Sequence, residues 1–468
     1  MEIEKLDTNQ KALRINLDAK KYGTFAEIGA GQEVARCFFH VGGASGTVAK
    51  TISAYDMRVS DAIYGPSDRY VSRNRLGAML DYEFHLILER LNAVRGEKCT
   101  FFVFADTVAT HSYSRQEDGH GWMGIRFQTE TKCEPSEIII HVRMLDKVNV
   151  QEQDALGIIG VNLIYGAFYY YNKPEVLIGS LMDGLDRERI EVDMIKFSGP
   201  AFGKVDNRLM SLQLVQQGLT DAAMFTTEGE MVQPSEVLYK KPVLVERGSF
   251  RPVTNTTLDM LQRAQEQFEA EPGVQGEKPV ILMEMTLRNI LSEGTLDHRD
   301  FLARVDTLRA VGQTVLISNH ARYYKLVAYL SIYTHKSIGI VLGVPSLREI
   351  FDEKFYTDLE GGLLEALGRM FKNNVRLYVY PWRDPVTGKI STAENLTVAP
   401  NLRHLYAHLV ENRFVVSIQK HNVDYLPIFS RDVLARIQTY DPSWETMVPP
   451  PIVEIIKREK LFGYRETR

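Results

Sequence analysis

Between residues 279 and 412, short apolar runs alternate with amphipathic stretches, and no other feature of the chain constrains its fold as tightly. Val280–Met283, Thr314–Ile317, Ile338–Leu342 and Val375–Tyr380 read as strands. His298–Val311, Tyr323–Tyr333, Glu360–Phe371 and Arg403–Asn412 read as helices. Strands that are apolar along their whole length need cover on both faces, and helices between them supply it. The pattern predicts a Rossmann-like, doubly wound parallel sheet, in which ligands bind beyond the C-terminal ends of the strands.

The preceding region is α/β with a mixed sheet. Strands are expected at Phe38–Val41, Thr100–Ala105, Met123–Gln128, Glu137–Arg143, Arg189–Lys196, Ala222–Thr226 and Pro242–Glu246. Helices are expected at Arg73–Val94, Gln151–Tyr171, Pro174–Leu185 and Asn207–Gln217. The runs from Thr100 to Arg143 follow one another without a helix, which indicates antiparallel pairing, and later alternation indicates parallel βα units. The polar stretch 269–278, with a proline and two glycines, lies between a helical segment and a new apolar strand, which is the signature of a linker. The expected organisation is a mixed α/β domain over 1–268, a linker over 269–278, a Rossmann-like domain over 279–445 and an extended C-terminal arm over 446–468, opened by Pro449-Pro450-Pro451.

Composition narrows the partners. The 468 residues suffice for about two to four domains. The formal charge is −5 and the pI about 6.2, with no block of like charge, so nothing points to nucleic acid. Cys37, Cys99 and Cys133 are far apart and form no CxxC, which fits a reducing, cytoplasmic compartment. The charged N-terminus has no signal-peptide character. The longest apolar stretch, Ala155–Tyr171, is short for a membrane span and reads as a buried or interfacial helix. Its Tyr165 and Phe168–Tyr171 form an aromatic face suited to a core or a subunit interface.

Several clusters carry chemistry. Gly42, Gly43, Ser45, Gly46, Thr47, Lys50 and Thr51 follow the apolar run Cys37–Val41. One reading is an anion cradle at a helix N-terminus, with Lys50 neutralising a phosphate; the other is a tight strand-to-helix turn. The spacing is not a Walker A loop, since Ala44 and Ala49 hold its glycine positions. Asp106 closes the strand Thr100–Ala105, where an acid serves as a catalytic group or a turn cap. His120, between Gly119 and Gly121, is a general acid–base candidate or part of a polar hairpin. Arg126 and Arg143, on successive strands, suit anion binding. Glu246, Arg247 and Arg251 follow Pro242–Val245 and read as a binding loop or a salt-bridged surface. No HExxH occurs, and the metal is unknown.

Met283-Glu284-Met285-Thr286, with Ser318 closing the next strand, resembles the layout of the haloacid dehalogenase-like fold, where a DxDxT loop ends the first strand. With Thr286 on the motif threonine, Leu282 stands at the nucleophile position and Glu284 at the second acid, so the resemblance implies a retained fold without the nucleophile of phosphatase chemistry. Over nearly the whole chain, GGASGTVAKTISAYDM, RYVSRNRLGAMLDYEF, VDNRLMSLQLVQQGLTDAAMF, VLYKKPVLVERGSFRPVT and VLISNHARYYKLVAYL resemble a bacterial cytoplasmic family labelled nicotinate-nucleotide adenylyltransferase, some members of which carry a TonB-related label. Adenylyltransferases of that type carry GxFxPxH with a TxGH or HxGH element; the corresponding loop here, Gly42–Thr47, has no histidine. Gly388–Thr392 is similar to their ISxTxxR-type element, with Asn395 where the arginine stands.

Together these readings lead to the expectation of a cytoplasmic enzyme acting on a nucleotide or other phosphorylated metabolite, with nucleotidyl transfer as the specific version. Asp106, His120 and Glu246 are its candidate catalytic residues, 42–51 its phosphate loop, and Arg126, Arg143, Arg247 and Arg251 its substrate contacts. The cofactor is unknown, with Mg²⁺ expected if the substrate is a nucleotide. The expected partners are a small phosphorylated ligand and further copies of the chain, without membrane or nucleic acid. The alternative is a non-catalytic oligomeric scaffold or filament former built on degenerate enzyme folds.

Overall fold

The computed structural model describes residues 5–29, 31–111, 119–291 and 297–465. The chain divides into two compact units, Met1–Asp221 and Ala222–Arg468.

The first unit is built on a six-stranded sheet. Strand β1 (Lys21–Ile28) lies between parallel β2 (Val48–Ile52) and parallel β3 (Thr100–Ala109). Antiparallel β4 (Gly119–Phe127), β5 (Ser136–Met144) and β6 (Ile190–Ser198) extend the β3 side. The helices are α1 (Thr8–Asn16), α2 (Glu33–His40), α3 (Met57–Tyr64), α4 (Arg73–Arg95), α5 (Asn149–Tyr169), α6 (Pro174–Ser180) and α7 (Asn207–Gln216).

Side-chain alternation assigns the two faces. Phe25, Phe102, Phe104, Met123, Ile125, Ile138, Ile140 and Val142 enter one core with residues of α1, α2, α5, α6 and α7. The intervening positions face α4: a Cβ on Gly124 would meet Leu80 and Leu76 of that helix at 3.0 and 3.2 Å. Helix α5 is buried almost all round, as its apolar sequence requires. Its aromatic face is core: the Phe168 ring lies 5.4 Å from Phe102 and 5.9 Å from Phe127.

The second unit holds strands β7 (Ala222–Phe225), β8 (Met231–Val232), β9 (Val243–Arg247), β10 (Val280–Thr286), β11 (Thr314–Ser318), β12 (Ile338–Gly343) and β13 (Val375–Tyr380). A small hairpin of β14 (Trp382–Arg383) and β15 (Ile390–Ser391) precedes β16 (Val415–Ser417). The main sheet runs β16-β13-β12-β9-β10-β11-β7-β8, with the six strands from β16 to β11 parallel. That is the Rossmann order, with β9 as its first strand. The crossover from β9 to β10 is α9 (Asn255–Glu269), which follows α8 (Pro234–Leu238). The strand–helix alternation therefore produces the fold class expected of it.

Four local readings differ. Strand β9 pairs with both β10 and β12, so the division falls at 221/222, and 269–278 is a crossover turn inside the second unit with Val274 buried. Strand β10, which carries the Met283–Thr286 sequence, is consequently second rather than first in the parallel order. The apolar run expected as strand Phe38–Val41 ends helix α2, which buries Val34, Ala35 and Phe38 at helical spacing and exposes Phe39. The expected arm contains a helix, Pro450–Glu459, that buries Ile452 and Ile456; prolines at its first positions lack only N–H groups that a helix start leaves unbonded anyway. Residues 466–468 of that arm lie outside the described residues. Among the described residues no helix is long and apolar enough to cross a membrane.

Candidate active site

The 42–51 segment has a different context from the one its glycines imply. Gly42 and Gly43 have positive φ and follow the C-terminus of α2, and the Asn16 amide donates to the carbonyls of Phe38 and Gly42 at 2.8 and 2.7 Å. A helix C-terminus presents carbonyls and the negative end of the dipole, which disfavours an anion. Ser45 is exposed, Gly46 ends a 3₁₀ turn and Thr47 is buried. Lys50 sits on β2 and pairs with Glu83 of α4, which also accepts from the Tyr64 hydroxyl at 2.9 Å. Thr51 accepts from the Gln32 amide at 2.9 Å.

Strand β1 is the parallel strand that is followed by the N-terminus of α2. Gly29 needs its φ of +108° there, and a Cβ would fall 1.8 Å from the Val108 carbonyl oxygen. No anion is needed at this helix start, because the Glu27 carboxylate already accepts from Val34 and Ala35 N–H at 2.9 and 3.0 Å. Asp106 is level with Glu27 on the neighbouring strand and accepts from Ile28 N–H at 3.2 Å. Burial, opposed by the two N–H groups, pushes Glu27 up to about 7; burial and then Glu27 hold Asp106 well above the ordinary aspartate range. Asp106 is thus half of a dry carboxyl pair directed at α2.

His120 lies on the opposite face of the sheet. On β4, Met123 opposite Asp106 points into the core, whereas His120 and Trp122 point toward α4. Asp106 and His120 therefore do not converge. His120 instead begins a chain across three strands. Its Nδ1 is 3.3 Å from His141 Nε2 on β5, and His141 Nδ1 is 2.6 Å from Asp193 Oδ1 on β6. His141 and Asp193 are buried, His120 is half-buried, and the Trp122 ring packs 4.9 Å from the His141 ring.

A carboxylate only accepts, so Asp193 fixes the proton of His141 on Nδ1. The lone pair on His141 Nε2 then takes the N–H of His120 Nδ1, which leaves the lone pair of His120 on Nε2. Burial first, then His141, Arg69 and Arg143, push His120 down to about 4 against the opposing pull of Asp193. At neutral pH the ring is uncharged.

Arg143 is directly opposite His120 in the β4–β5 register and pairs with Glu191 at 2.8 Å. Arg126 is six positions from His120 along β4, or about 20 Å at 3.3 Å per residue. It pairs with Glu137 at 2.6 Å and with Asp81, so Arg126 and Arg143 cannot hold one anion together. In the second unit Arg247 is bound to Glu284 and to the His320 carbonyl at 2.8 Å, and Arg251 to Asp300 at 2.5 Å, so both guanidinium groups are engaged within the fold. Glu246 is buried at the end of β9 and held well above the glutamate range by that burial.

Sequence reasoning finds His120 and Arg143 but not His141, Asp193, Glu27 or Glu83. The signal for two of them is a titratable residue inside an apolar strand, Ile138-Ile-Ile-His141-Val and Ile190-Glu-Val-Asp193-Met-Ile. Among the described residues no group of three His, Cys, Asp or Glu side chains is placed to hold a metal ion.

No protein-family model matches the chain, and no curated protein does. Among solved structures it is similar to the competence/damage-inducible protein CihA of Agrobacterium tumefaciens, at 16% identity over 35% of this chain and 97% of that one, with a TM-score of 0.25. It is also similar to a competence-damaged protein (CinA) superfamily protein of Enterobacter cloacae, at 10% identity over 36% and 95% of the two chains, with a TM-score of 0.25. A further member, from Escherichia coli, has 14% identity over 34% and 90%, with a TM-score of 0.22.

Proposed function

We propose that the protein is a cytoplasmic enzyme acting on a small anionic metabolite, a nucleotide or other phosphorylated compound, with His120 as its general base. The observation that carries this reading is the Asp193–His141–His120 chain, ending in an uncharged imidazole on a half-buried residue. Arg69 and Arg143 act on that nitrogen and lower its basicity. An anion bound beside His120 favours its protonated form and so raises its basicity. His120 then accepts a proton from water or a substrate hydroxyl. The nucleotidyl-transfer version rests on the family resemblance and predicts release of pyrophosphate from ATP.

The test is a thermal-shift screen of the full chain against nucleoside phosphates, pyridine nucleotides and sugar phosphates, each with and without Mg²⁺, followed by turnover of whichever ligand binds. His120→Gln keeps the ligand-induced shift and lowers turnover by about 10²–10⁴. Absence of any shift together with absence of turnover refutes the reading.

A further inference from the structure

The second unit carries polar groups that its own fold leaves unanswered, at the place where an open parallel sheet binds ligands. Strands β9 and β12 are neighbours, and the chain winds away from them in opposite directions, toward β10 and β11 on one side and β13 and β16 on the other. Helix α9 follows β9 and covers one face. The helix Val344–Ile350 follows β12 and places Val344, Leu347 and Ile350 in the core on the other face. The loops after β9 and β12 therefore part, which makes this the topological switch point.

Glu246 ends β9 on the α9 face, since Val243 and Val245 enter the opposite core. It is 1% exposed, and its Oε2 has no hydrogen-bond partner among the described residues. Tyr380 ends β13 on the same face, opposite Gly343 of β12. The Tyr380 hydroxyl donates to Asp259 Oδ2 of α9 at 2.6 Å, and the same oxygen accepts from Asn422 N–H at 2.9 Å. Glu246 is close enough to Tyr380 to act electrostatically on its phenol. The His421 ring lies 5.9 Å from the Tyr380 ring, and its buried Nδ1 also has no partner among the described residues. Buried polar atoms are normally satisfied, so two unsatisfied ones beside one tyrosine at a switch point indicate a missing occupant.

We propose that Glu246, Tyr380 and His421 form a second ligand site, in the Ala222–Arg468 unit, for an uncharged molecule with vicinal hydroxyls such as the ribose of a nucleoside or a free sugar. The charge of Asp259 is already answered by Arg263, with Nε at 3.4 Å. Burial favours the neutral form of the Glu246 carboxyl, and a neutral carboxyl donates and accepts at once, as a hydroxyl does. The three proposed contacts include no arginine or lysine to hold a phosphate, and a neutral carboxyl offers no charge to an ammonium ion. This site stands independently of the His120 reading.

The test uses the full chain with adenosine, 2′-deoxyadenosine and D-ribose, read by calorimetry and by amide hydrogen exchange. Adenosine or D-ribose is expected to slow exchange in the segments around 246, 380 and 421, with 2′-deoxyadenosine binding about tenfold more weakly or worse than adenosine. Glu246→Leu weakens adenosine or ribose by at least the same factor. His421→Leu, at a partly exposed position, gives the same result should Glu246→Leu fail to fold. His120→Gln binds these probes as the parent does, which separates this site from the one in the first unit. Unchanged exchange in all three segments, or equal binding by the parent, Glu246→Leu and His421→Leu, overturns the proposal.

Discussion

The two units handle buried charge at their strand ends in contrasting ways. In the second, Glu284 is completely buried, and every strong demand on it is met: Arg247 approaches from β9, the Ser318 hydroxyl donates from β11 at 2.5 Å, and the guanidinium goes on to the carbonyls of the β11 loop. The Tyr323 ring covers that guanidinium at 4.4 Å. In the first, the polar chain begins at buried Asp193 and stops at a half-buried histidine nitrogen. A closed arrangement holds three strands in register; an open one presents a group with a fixed proton position to whatever arrives. The same residue types serve packing at Glu284 and are available for chemistry at His120, and termination of the chain separates the two cases.

Removing Arg247 gives the largest effect expected on stability. Arg247→Ala leaves the Glu284 carboxylate buried without its cation, a change worth about 3–5 kcal/mol. Denaturant unfolding should show that loss in the second unit. His120→Gln, at the open end of the other chain, should change unfolding by less than about 1 kcal/mol, because a half-buried ring leaves little unsatisfied behind it. Similar losses for the two variants would abolish the distinction between a closed and an open arrangement.

The Glu27–Asp106 pair sharpens the comparison, since it is satisfied by backbone donors yet places two acids side by side. The sign follows from the folded-state shift. Glu27 is raised from 4.5 to about 7, so between those values the folded protein holds a proton that the unfolded chain has released. The favourable contribution is fully present below pH 4.5, falls as pH rises, and is gone above pH 7; Asp106 acts in the same direction. For Glu27 alone the loss across that window is about 3 kcal/mol. Glu27→Gln should flatten the dependence, measured by denaturant unfolding at a series of pH values. A parent whose stability rises steadily from pH 4.5 to 7 and a variant with the same slope would show that the pair does not control it.

How much of this was legible follows the range of the interactions. Helix α4 and strands β3 to β6 announce themselves by local period. Strand β1 does not, because Lys21-Tyr-Gly-Thr-Phe-Ala-Glu-Ile28 mixes a lysine, a glycine and a glutamate into a strand buried mostly by its neighbours. Missing β1 also hid the Gly29 turn and transferred its expected role to Gly42–Gly46, whose glycines instead end a helix. Proline and glycine at 269–278 signal a turn correctly, but only the pairing of β9 with β10 and β12 tells that the turn lies inside a domain. At the candidate site His120 stands out between two glycines. His141 and Asp193 come to it only through the register of β4, β5 and β6, and register is not written in any single strand.

The helix starts show the same contrast at the smallest energy. Helix α9 is capped from its own sequence: Thr254 Oγ1 accepts from Thr257 N–H at 3.2 Å, and Thr257 returns the bond to Thr254 N–H at 3.3 Å. Helix α2 is capped by Glu27, seven and eight residues back and on a strand. A hydroxyl does not ionise in the accessible range, so Thr254→Ala should cost about 1 kcal/mol at every pH between 4.5 and 8. The Glu27 cap should instead change its contribution across that range, because its acceptor titrates while the hydroxyl does not. Parallel unfolding curves for Thr254→Ala and its parent at each pH would confirm that the local cap is electrostatically silent. A gap between them that widens with pH would mean that the start of α9 also senses a buried acid.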